Sequence, residues 1–275
     1  MRVLVTGATG SVGKHVVDNL VKAGVTVRAV TRNPDNATFP DGVEVVAGDL
    51  EQPDSLTDAL TDVQRVYVFP GGDTKRFAEL ARQAGVERIV TLSSASAAYP
   101  DDWGGRHHRD VEIAVEESGV PWTHVRPGMF IGNLFEWVEG IRAEGVARAP
   151  YGALRLAPVH EGDIGAVAAK VLVEDGHEGR IYQLTGPETL SRAEMAGAVA
   201  AGIGRPVRFE ELTPDQWRER VSAFIPAPAV DWLLQLAADN LDNPEPVLST
   251  VPDLLGRPAR GVTEWATENA DAFRA

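Results

Sequence analysis

Three glycines near the N-terminus are spaced as in turns that bind a phosphate group. Gly7, Gly10 and Gly13 follow a short β-forming run at residues 3–5 and precede a helical apolar pattern over residues 14–23. In that setting the first glycine permits a tight turn, the second lets a pyrophosphate approach the backbone, and the third lets the helix pack closely against the strand. The N-terminus of the helix also offers free N–H groups and the positive end of its dipole to the phosphates.

The order of strand, glycine turn and helix predicts a dinucleotide site, in which Thr9, Ser11 and Val12 complete the turn. An ordinary strand-to-helix turn is the alternative that a glycine triplet alone would leave open. The flanking strand and helix favour the dinucleotide.

The end of the second predicted strand bears on which dinucleotide binds. Sites selective for NAD carry an aspartate or glutamate about 20 residues after the glycines, where it bonds the ribose 2′-hydroxyl. Here the strand over residues 25–32 leads into Thr31-Arg32-Asn33, which offers a guanidinium and no carboxylate. A guanidinium suits a phosphate. The sequence therefore favours NADP(H) and leaves NAD(H) open, with an ordinary surface arginine as the alternative.

Polar and small residues follow the other predicted strands, over residues 43–50, 65–69, 88–94 and 122–126. Helices are predicted between them, over residues 53–60, 74–84 and 106–118. Strands that alternate with helices in this way indicate a parallel, doubly wound sheet, whose ligands lie at the carboxyl ends of the strands. We therefore expect the residues after the strands to meet the glycine turn at one edge. Asp49 there either accepts a hydrogen bond from the adenine or caps its own turn.

The rhythm of strands and helices breaks after residue 130. Helices are predicted over residues 133–145 and 163–173, after capping boxes at Ser191 and Thr213, over residues 230–241, and near Trp265, with one late strand over residues 181–187. The predicted fold is α/β, a Rossmann-type doubly wound parallel sheet with a small, mainly helical C-terminal substrate region. Residues 1–150 form the predicted NAD(P)-binding domain and residues 151–275 the interleaved substrate region, without a clean boundary.

Composition excludes several classes of protein. The chain has 275 residues, a formal net charge of −14 and no cysteine. The acidic balance argues against nucleic acid and membrane surfaces as partners, and no apolar run reaches the roughly 18 residues of a membrane span. No signal-peptide pattern precedes the first strand, so we expect a cytoplasmic protein. We expect no metal site, because the adjacent His107 and His108 would not face each other on a helix.

These motifs resemble the atypical short-chain dehydrogenases/reductases of the NmrA-like group, over roughly residues 1–215. The resemblance rests on Gly7-Ala8-Thr9-Gly10-Ser11-Val12-Gly13, Arg32-Asn33-Pro34, Gly48-Asp49-Leu50, Leu92-Ser93-Ser94, Glu112, Arg126-Pro127-Gly128-Met129-Phe130, Asn133, His160-Glu161-Gly162-Asp163-Ile164 and Leu184-Thr185-Gly186-Pro187-Glu188. It implies that Arg32 faces the adenosine ribose and that residues 127–130 pass the nicotinamide. The cofactor is then expected against Gly7, Thr9, Gly10, Ser11, Val12, Gly13, Arg32, Asp49, Leu50, Phe69, Pro70, Gly71, Ser93, His108, Pro127, Gly128 and Met129.

The sequence departs from the wider superfamily at the proton donor. Catalytic members use a Tyr-x-x-x-Lys pair, but an alignment on Glu112 puts Gly104 at the tyrosine position and His108 at the lysine position. Tyr99 does not replace the pair, because Trp103 stands four residues after it. His108 is our candidate catalytic helper, since a pKa near 6.5 suits proton transfer. The alternative is a histidine that bonds the cofactor ribose or the backbone.

The missing tyrosine indicates which acceptors could be reduced. A ketone becomes a strongly basic alkoxide that needs a positioned acid. A quinone becomes a phenolate, whose conjugate acid has a pKa of about 10. We therefore predict an NAD(P)H-dependent oxidoreductase of a quinone or polycyclic aromatic substrate, as a tailoring step in bacterial secondary metabolism such as polyketide biosynthesis. The step is a reduction, or a hydroxylation when the reduced product reacts with oxygen.

The predicted substrate pocket is lined by residues suited to a flat aromatic molecule. They are Ser94, Trp103, Phe130, Asn133 and Tyr151, whereas Trp137 is expected in the core. The alternative function is a non-catalytic redox sensor that binds the dinucleotide and signals to a partner. Isomerisation of a nucleotide sugar is disfavoured because it needs the absent tyrosine. The oligomeric state does not follow from the sequence.

Overall fold

The computed structural model describes residues 1–274, which contain eleven strands. They are β1 (Arg2–Val5), β2 (Thr26–Thr31), β3 (Glu44–Ala47), β4 (Arg65–Val68), β5 (Arg88–Leu92), β6 (Trp122–Pro127), β7 (Val146–Pro150), β8 (Arg155–Leu156), β9 (Arg180–Leu184), β10 (Leu190–Ser191) and β11 (Arg208–Leu212). Seven of them form one sheet in the order β3-β2-β1-β4-β5-β6-β9, and every pair in it is parallel. The predicted α/β fold with a doubly wound parallel sheet is confirmed.

The same residues form ten α-helices. They are α1 (Gly13–Lys22), α2 (Thr74–Gln83), α3 (Trp103–Glu117), α4 (Val138–Glu144), α5 (Glu161–Val173), α6 (Arg192–Ile203), α7 (Pro214–Val221), α8 (Ala227–Asp239), α9 (Thr250–Leu255) and α10 (Val262–Glu268). Within residues 1–274, none of the helices has the length and apolar character needed to cross a bilayer.

Alternation along β1 explains why helices cover both faces of the sheet. Val3 and Val5 point to one face and pack with Val16 of α1 and with apolar residues of α5. Leu4 points to the other face and packs with Phe77 of α2. All these side chains are fully buried. The strand is therefore apolar on both sides, as parallel strands between two helical layers must be.

The second half of the chain contributes to the sheet and also builds a core of its own. Strand β9 closes the sheet beside β6, and α5 packs on α1. A separate apolar cluster joins Ile141 of α4, Met195 of α6 and Trp265 of α10. Two small strand pairs lie beside it, β7 with β11 and β8 with β10. The division at residue 150 stays a prediction.

Several predicted elements differ from the structure. Residues 53–60 form two short 3₁₀ turns instead of one helix, and residues 131–137 are 3₁₀ before α4 begins at Val138. Helix α3 begins at Trp103, three residues before the predicted start, and the tail holds both α9 and α10. Strands β7, β8, β10 and β11 were not predicted. They are two to five residues long, which is too short for a clear period in sequence.

A buried ionic network ties α3 to the ends of β5 and β6. Glu112 of α3 is 0% exposed and accepts two hydrogen bonds from Arg126, at 2.7 Å from Nε and 2.6 Å from Nη2. Ser93 donates a third bond to the same carboxylate, at 2.6 Å. Burial by itself raises the pKa of Glu112, but the bonds from Arg126 and Ser93 outweigh it and hold that pKa below its ordinary value. The pair therefore stays ionised inside the protein.

The Glu112→Gln variant should lose about 3–5 kcal/mol of unfolding free energy at pH 7, because Arg126 is left as a buried charge without its counter-ion. Urea denaturation followed by circular dichroism measures the loss. Glu117→Gln is the matched control, since Glu117 lies on the same helix and is exposed. It should shift the unfolding free energy by less than about 0.5 kcal/mol.

A comparison of the wild type with the Glu112→Gln variant also tests the ionisation of Glu112. Its pKa in the folded protein lies below the ordinary 4.5, so the carboxylate stabilises the fold above that pH. The stabilisation is lost as the pH falls through the folded-state pKa. The difference in unfolding free energy between wild type and Glu112→Gln should therefore become smaller below about pH 4.5. A gap that stays constant into strong acid would contradict the ionic account.

Candidate functional site

The turn between β1 and α1 is built from backbone that leaves no room for side chains. Gly7 has a φ of +58°, and a Cβ on it would lie 2.8 Å from the Cβ of Phe69. A Cβ on Gly13 would overlap the carbonyl oxygen of Gly7. The N–H of Gly10 donates to that same carbonyl at 2.9 Å. Glycine is thus required at positions 7 and 13 by contacts within the turn itself.

The N-terminus of α1 is left open for a ligand. No side chain caps the helix, whose N-cap residue is Val12. Thr9, Gly10 and Ser11 in front of it are exposed, while Val12 and Gly13 are buried below them. Free N–H groups and the helix dipole therefore face the solvent above the turn, which fits the pyrophosphate of a dinucleotide.

Arg32 directly follows β2, at the carboxyl end of the strand. Its side chain is exposed, and among residues 1–274 no carboxylate lies within 4.0 Å of it. On the next strand, the carboxylate of Asp49 accepts the N–H of Glu51 at 3.1 Å and closes a local turn. Leu50 is held beside it, because its carbonyl accepts the N–H of Asp73 at 3.0 Å. Arg32 is thus available to a phosphate.

Phe69 continues the same edge after β4. The hydroxyl of Thr6 donates to Tyr67 and accepts the N–H of Phe69 at 2.8 Å, which couples the ends of β1 and β4. The ring of Phe69 is 46% exposed and lies over Gly7, with Gly71 on its other side. Pro70 and Gly71 are half-buried. An exposed aromatic ring beside the glycine turn is a suitable wall for a bound cofactor.

The two serines after β5 already have partners. Ser93 is 3% exposed, and its hydroxyl donates a hydrogen bond to the carboxylate of Glu112. Ser94 caps the short turn at residues 95–98, where its hydroxyl oxygen accepts from the N–H of Ser96 at 3.2 Å and from its hydroxyl at 2.9 Å. Ser93 thus anchors the carboxyl end of β5, and Ser94 stabilises the turn at residues 95–98.

Helix α3 presents His108 and Gly104 one turn apart. Burial, with a smaller contribution from the neighbouring His107, lowers the pKa of His108 to about 4, so its imidazole is neutral at pH 7. Its Nδ1 is buried and has no hydrogen-bond partner among the described residues. A Cβ on Gly104 would lie 2.5 Å from the indole of Trp232 in α8. The predicted tyrosine position is therefore filled by a tryptophan from another helix.

The strand end expected to pass the nicotinamide is fixed by backbone bonds. Gly128 donates its N–H to Leu184 at 3.0 Å, and the carbonyl of Met129 accepts the N–H of Val159 at 2.8 Å. Pro127 is buried, whereas Gly128 and Met129 are half-buried. A Cβ on Gly128 would lie 2.5 Å from Oε1 of Glu245. Sequence reasoning missed Glu245, since no local pattern indicates where the C-terminal segment returns.

Two of the predicted substrate residues, Trp103 and Tyr151, lie against α8, and two others, Phe130 and Asn133, lie at the start of the 3₁₀ segment. Trp103 is exposed with its ring 6.3 Å from that of Trp232, and Tyr151 packs in the cluster around Leu234 of α8. Phe130 is half-buried and Asn133 is exposed. Trp137 is buried in the C-terminal core, as predicted. The sequence did not identify Trp232, which packs on Gly104 and lies beside Trp103.

One cluster among residues 1–274 has the spacing of a metal site. Ligand atoms of Glu112, Glu116 and His124 lie within 4.8 Å of one another. Both carboxylates are already bonded to arginines, Glu112 to Arg126 and Glu116 to Arg109. These guanidiniums neutralise the charge that a cation would need, so the cluster is a structural ion network.

Together the parallel sheet, the glycine turn and the open helix N-terminus define a Rossmann-type dinucleotide-binding protein. A family model described as NAD(P)H-binding matches residues 7–175. The chain belongs to this NAD(P)H-binding family, and the resemblance to NmrA-like atypical short-chain dehydrogenases/reductases is confirmed.

Known relatives extend over the whole chain. It is 41% identical to the (4-alkanoyl-5-oxo-2,5-dihydrofuran-3-yl)methyl phosphate reductase of Streptomyces griseus, over 98% of this chain and 99% of that protein. It is 36% identical to an NAD(P)H azoreductase of Xenophilus azovorans, over 99% of each chain. An NADPH-dependent quinone oxidoreductase from Escherichia coli, solved with NADPH, has the same fold, with a TM-score of 0.82 at 24% identity over 97% of this chain and 99% of that one. The protein is an NAD(P)H-dependent oxidoreductase by homology.

The Gly10→Ala variant should keep its fold and weaken NADPH binding at least about tenfold, or ~1.4 kcal/mol. A Cβ at position 10 meets only the Gly7 carbonyl, at 3.1 Å, but it projects where the pyrophosphate is expected. Fluorescence titration with NADPH gives the affinity, and thermal unfolding checks the fold. Gly197→Ala in α6, where nothing lies within 4 Å of the added Cβ, is the control and should leave the affinity unchanged. Unchanged affinity in Gly10→Ala would place the phosphates elsewhere.

The Arg32→Ala variant should lose affinity for NADPH by about tenfold, ~1.4 kcal/mol, while its affinity for NADH stays the same. The reason is that only NADPH carries the 2′-phosphate that the guanidinium would bond. Parallel titrations with both cofactors measure the difference. Arg82→Ala, at the far end of α2, is the control and should change neither affinity. An equal loss of affinity for both cofactors would mean that Arg32 does not bind the 2′-phosphate.

Proposed function

We propose that this protein uses NADP(H) to reduce a conjugated, electron-poor acceptor, a quinone or polycyclic aromatic compound, in bacterial secondary metabolism. The observation that carries the proposal is the packing of Trp232 on Gly104 beside a neutral His108. No side-chain proton donor stands at Gly104, where the wider superfamily has its tyrosine. Acceptors whose reduced form is a stabilised anion are the ones that such a site can serve.

The chemistry of the acceptor explains the choice. The bound cofactor supplies a hydride, and this chain must hold the acceptor and manage the anion that results. A phenolate has a conjugate acid with a pKa of about 10, whereas an alkoxide is far more basic. The azo group and the dihydrofuranone in the relatives' names are likewise conjugated acceptors. Delocalisation of the product charge is the property that unites them.

A second substrate class is favoured by Arg192. Nε of this arginine, at the start of α6, is buried without a hydrogen-bond partner, and among residues 1–274 no carboxylate lies within 4.0 Å of the guanidinium. Burial lowers its pKa. Leu190, two residues before it, packs in the same cluster as Met129. Glu136 acts on Arg192 electrostatically but forms no ion pair with it, and a phosphate on the substrate would supply a direct counter-ion, so a phosphorylated dihydrofuranone is the second candidate.

Anaerobic oxidation of NADPH, followed by absorbance, tests the proposal with a panel of simple and polycyclic quinones, azo dyes and phosphorylated dihydrofuranones. We expect turnover with at least one class of conjugated acceptor and none with simple ketones. Tight NADPH binding without turnover of any acceptor would overturn the reductase and favour the non-catalytic redox sensor.

The Arg192→Met variant separates the two substrate classes in the same assay. It should raise KM about tenfold or more for a phosphorylated acceptor and leave quinones unaffected, because only the phosphate needs the guanidinium. Arg82→Met is the matched control and should change neither class. A loss shared by all acceptors would mean that Arg192 supports the fold and binds no phosphate.

A further inference from the structure

Glu245 reaches the carboxyl edge of the sheet from the far end of the chain. It lies between α8 and α9 in the sequence Asn243-Pro244-Glu245-Pro246. Pro246 favours an extended conformation of Glu245, the residue before it. Its N–H donates to Arg155 at 3.1 Å, and its carbonyl accepts the hydroxyl of Thr189 at 2.7 Å. The backbone of Glu245 is therefore fixed from both sides.

The carboxyl group of Glu245 lies between two backbones at that edge. Oε2 accepts the N–H of Ala157 at 2.9 Å. Oε1 lies 2.5 Å from the place where a Cβ on Gly128 would stand, and it has no hydrogen-bond partner among the described residues. No arginine, lysine or histidine of residues 1–274 pairs with it within 4.0 Å. One oxygen is thus anchored, and the other is free above Gly128.

We propose that Glu245 is the proton donor of the reduction, placed by Oε1 over Gly128 at the carboxyl end of β6, on the edge of the sheet where ligands of parallel sheets bind. The inference rests on the proposed reductase function. The acceptor gains a hydride with its two electrons and becomes an anion. The O–H bond at Oε1 then breaks, the proton bonds to the anion, and the Glu245 carboxylate takes a new proton from water.

The surroundings of Glu245 suit an acid. The side chain is half-buried without a cation, and burial raises its pKa, so the group keeps its proton to higher pH than an exposed glutamate. His108 is unsuited to the same task, because its pKa of about 4 leaves it neutral near pH 7. Gly128 has no side chain to separate Oε1 from the strand end. The absent tyrosine thus has a replacement from another part of the chain.

The Glu245→Gln variant tests this role, because the amide oxygen can still accept from Ala157 but no acidic proton remains. Among the conjugated acceptors that the wild type reduces, kcat should fall about 100-fold or more for those whose anions are the more basic, in the range of general acid catalysis. With quinones whose reduced forms are acidic, kcat should fall by less than about fivefold, since water can protonate a stable anion. The loss should grow steadily with the pKa of the product.

Glu161→Gln is the matched control. Glu161 is another buried carboxyl with a raised pKa, and its Oε1 accepts the N–H of Gly132 at 2.6 Å. Removing its charge should lower stability and reduce turnover by the same factor for every acceptor. A loss in Glu245→Gln that is likewise equal across acceptors would overturn the proposal and leave Glu245 as a structural contact.

Two readouts do not depend on turnover. In wild-type protein without cofactor, ¹³C NMR of δ-labelled glutamate should show signals that titrate above the ordinary value of 4.5, among them Glu161 and Glu245, and the Glu245 signal is the one that disappears in Glu245→Gln. NADPH affinity by fluorescence should be equal in both proteins. A Glu245 signal that titrates at or below 4.5 would overturn the proposal even if the variant folds poorly. Failure of wild type to reduce any acceptor would instead overturn the proposed function.

Discussion

The close approach of α1 to the end of β1 is the contact on which the cofactor edge depends. The carbonyl of Gly7 lies where a Cβ on Gly13 would stand, and Phe69 closes over Gly7 from the next strand. This leaves backbone N–H groups at the surface in place of side chains. Because the strands are parallel, the same geometry brings Arg32, Asp49 and the strand ends that follow to one side of the sheet.

The Glu112 network has a second consequence for this edge. It occupies the hydroxyl of Ser93 and the guanidinium of Arg126, so neither is free for a substrate. The polar groups that remain free at the edge lie on other segments. They include Nδ1 of His108 on α3 and Oε1 of Glu245 in the C-terminal segment. The ionic pair therefore fixes the framework, and the free polar groups lie outside it.

The C-terminal half of the chain covers two glycines of the first half, Gly104 and Gly128. Trp232 of α8 fills the space above Gly104, so a larger side chain there would displace the helix. The segment after α8 then returns to the sheet at Gly128 and Ala157. One stretch of chain thus covers Gly104 and brings the carboxyl group of Glu245 to the carboxyl edge of the sheet. The same segment therefore bears on both proposals, the choice of acceptor through Gly104 and the proton donor through Glu245.

The sequence by itself determined the sheet, the glycine turn and the open position of Arg32, because strand and helix periods and the steric needs of glycine are local properties. It also placed Trp137 in the core. Only the tertiary structure decided that Trp232 covers Gly104 and that Glu245 lies over Gly128. Those contacts join residues more than a hundred positions apart. Contacts between such distant residues depend on how the C-terminal helices pack, and no local sequence pattern predicts that packing.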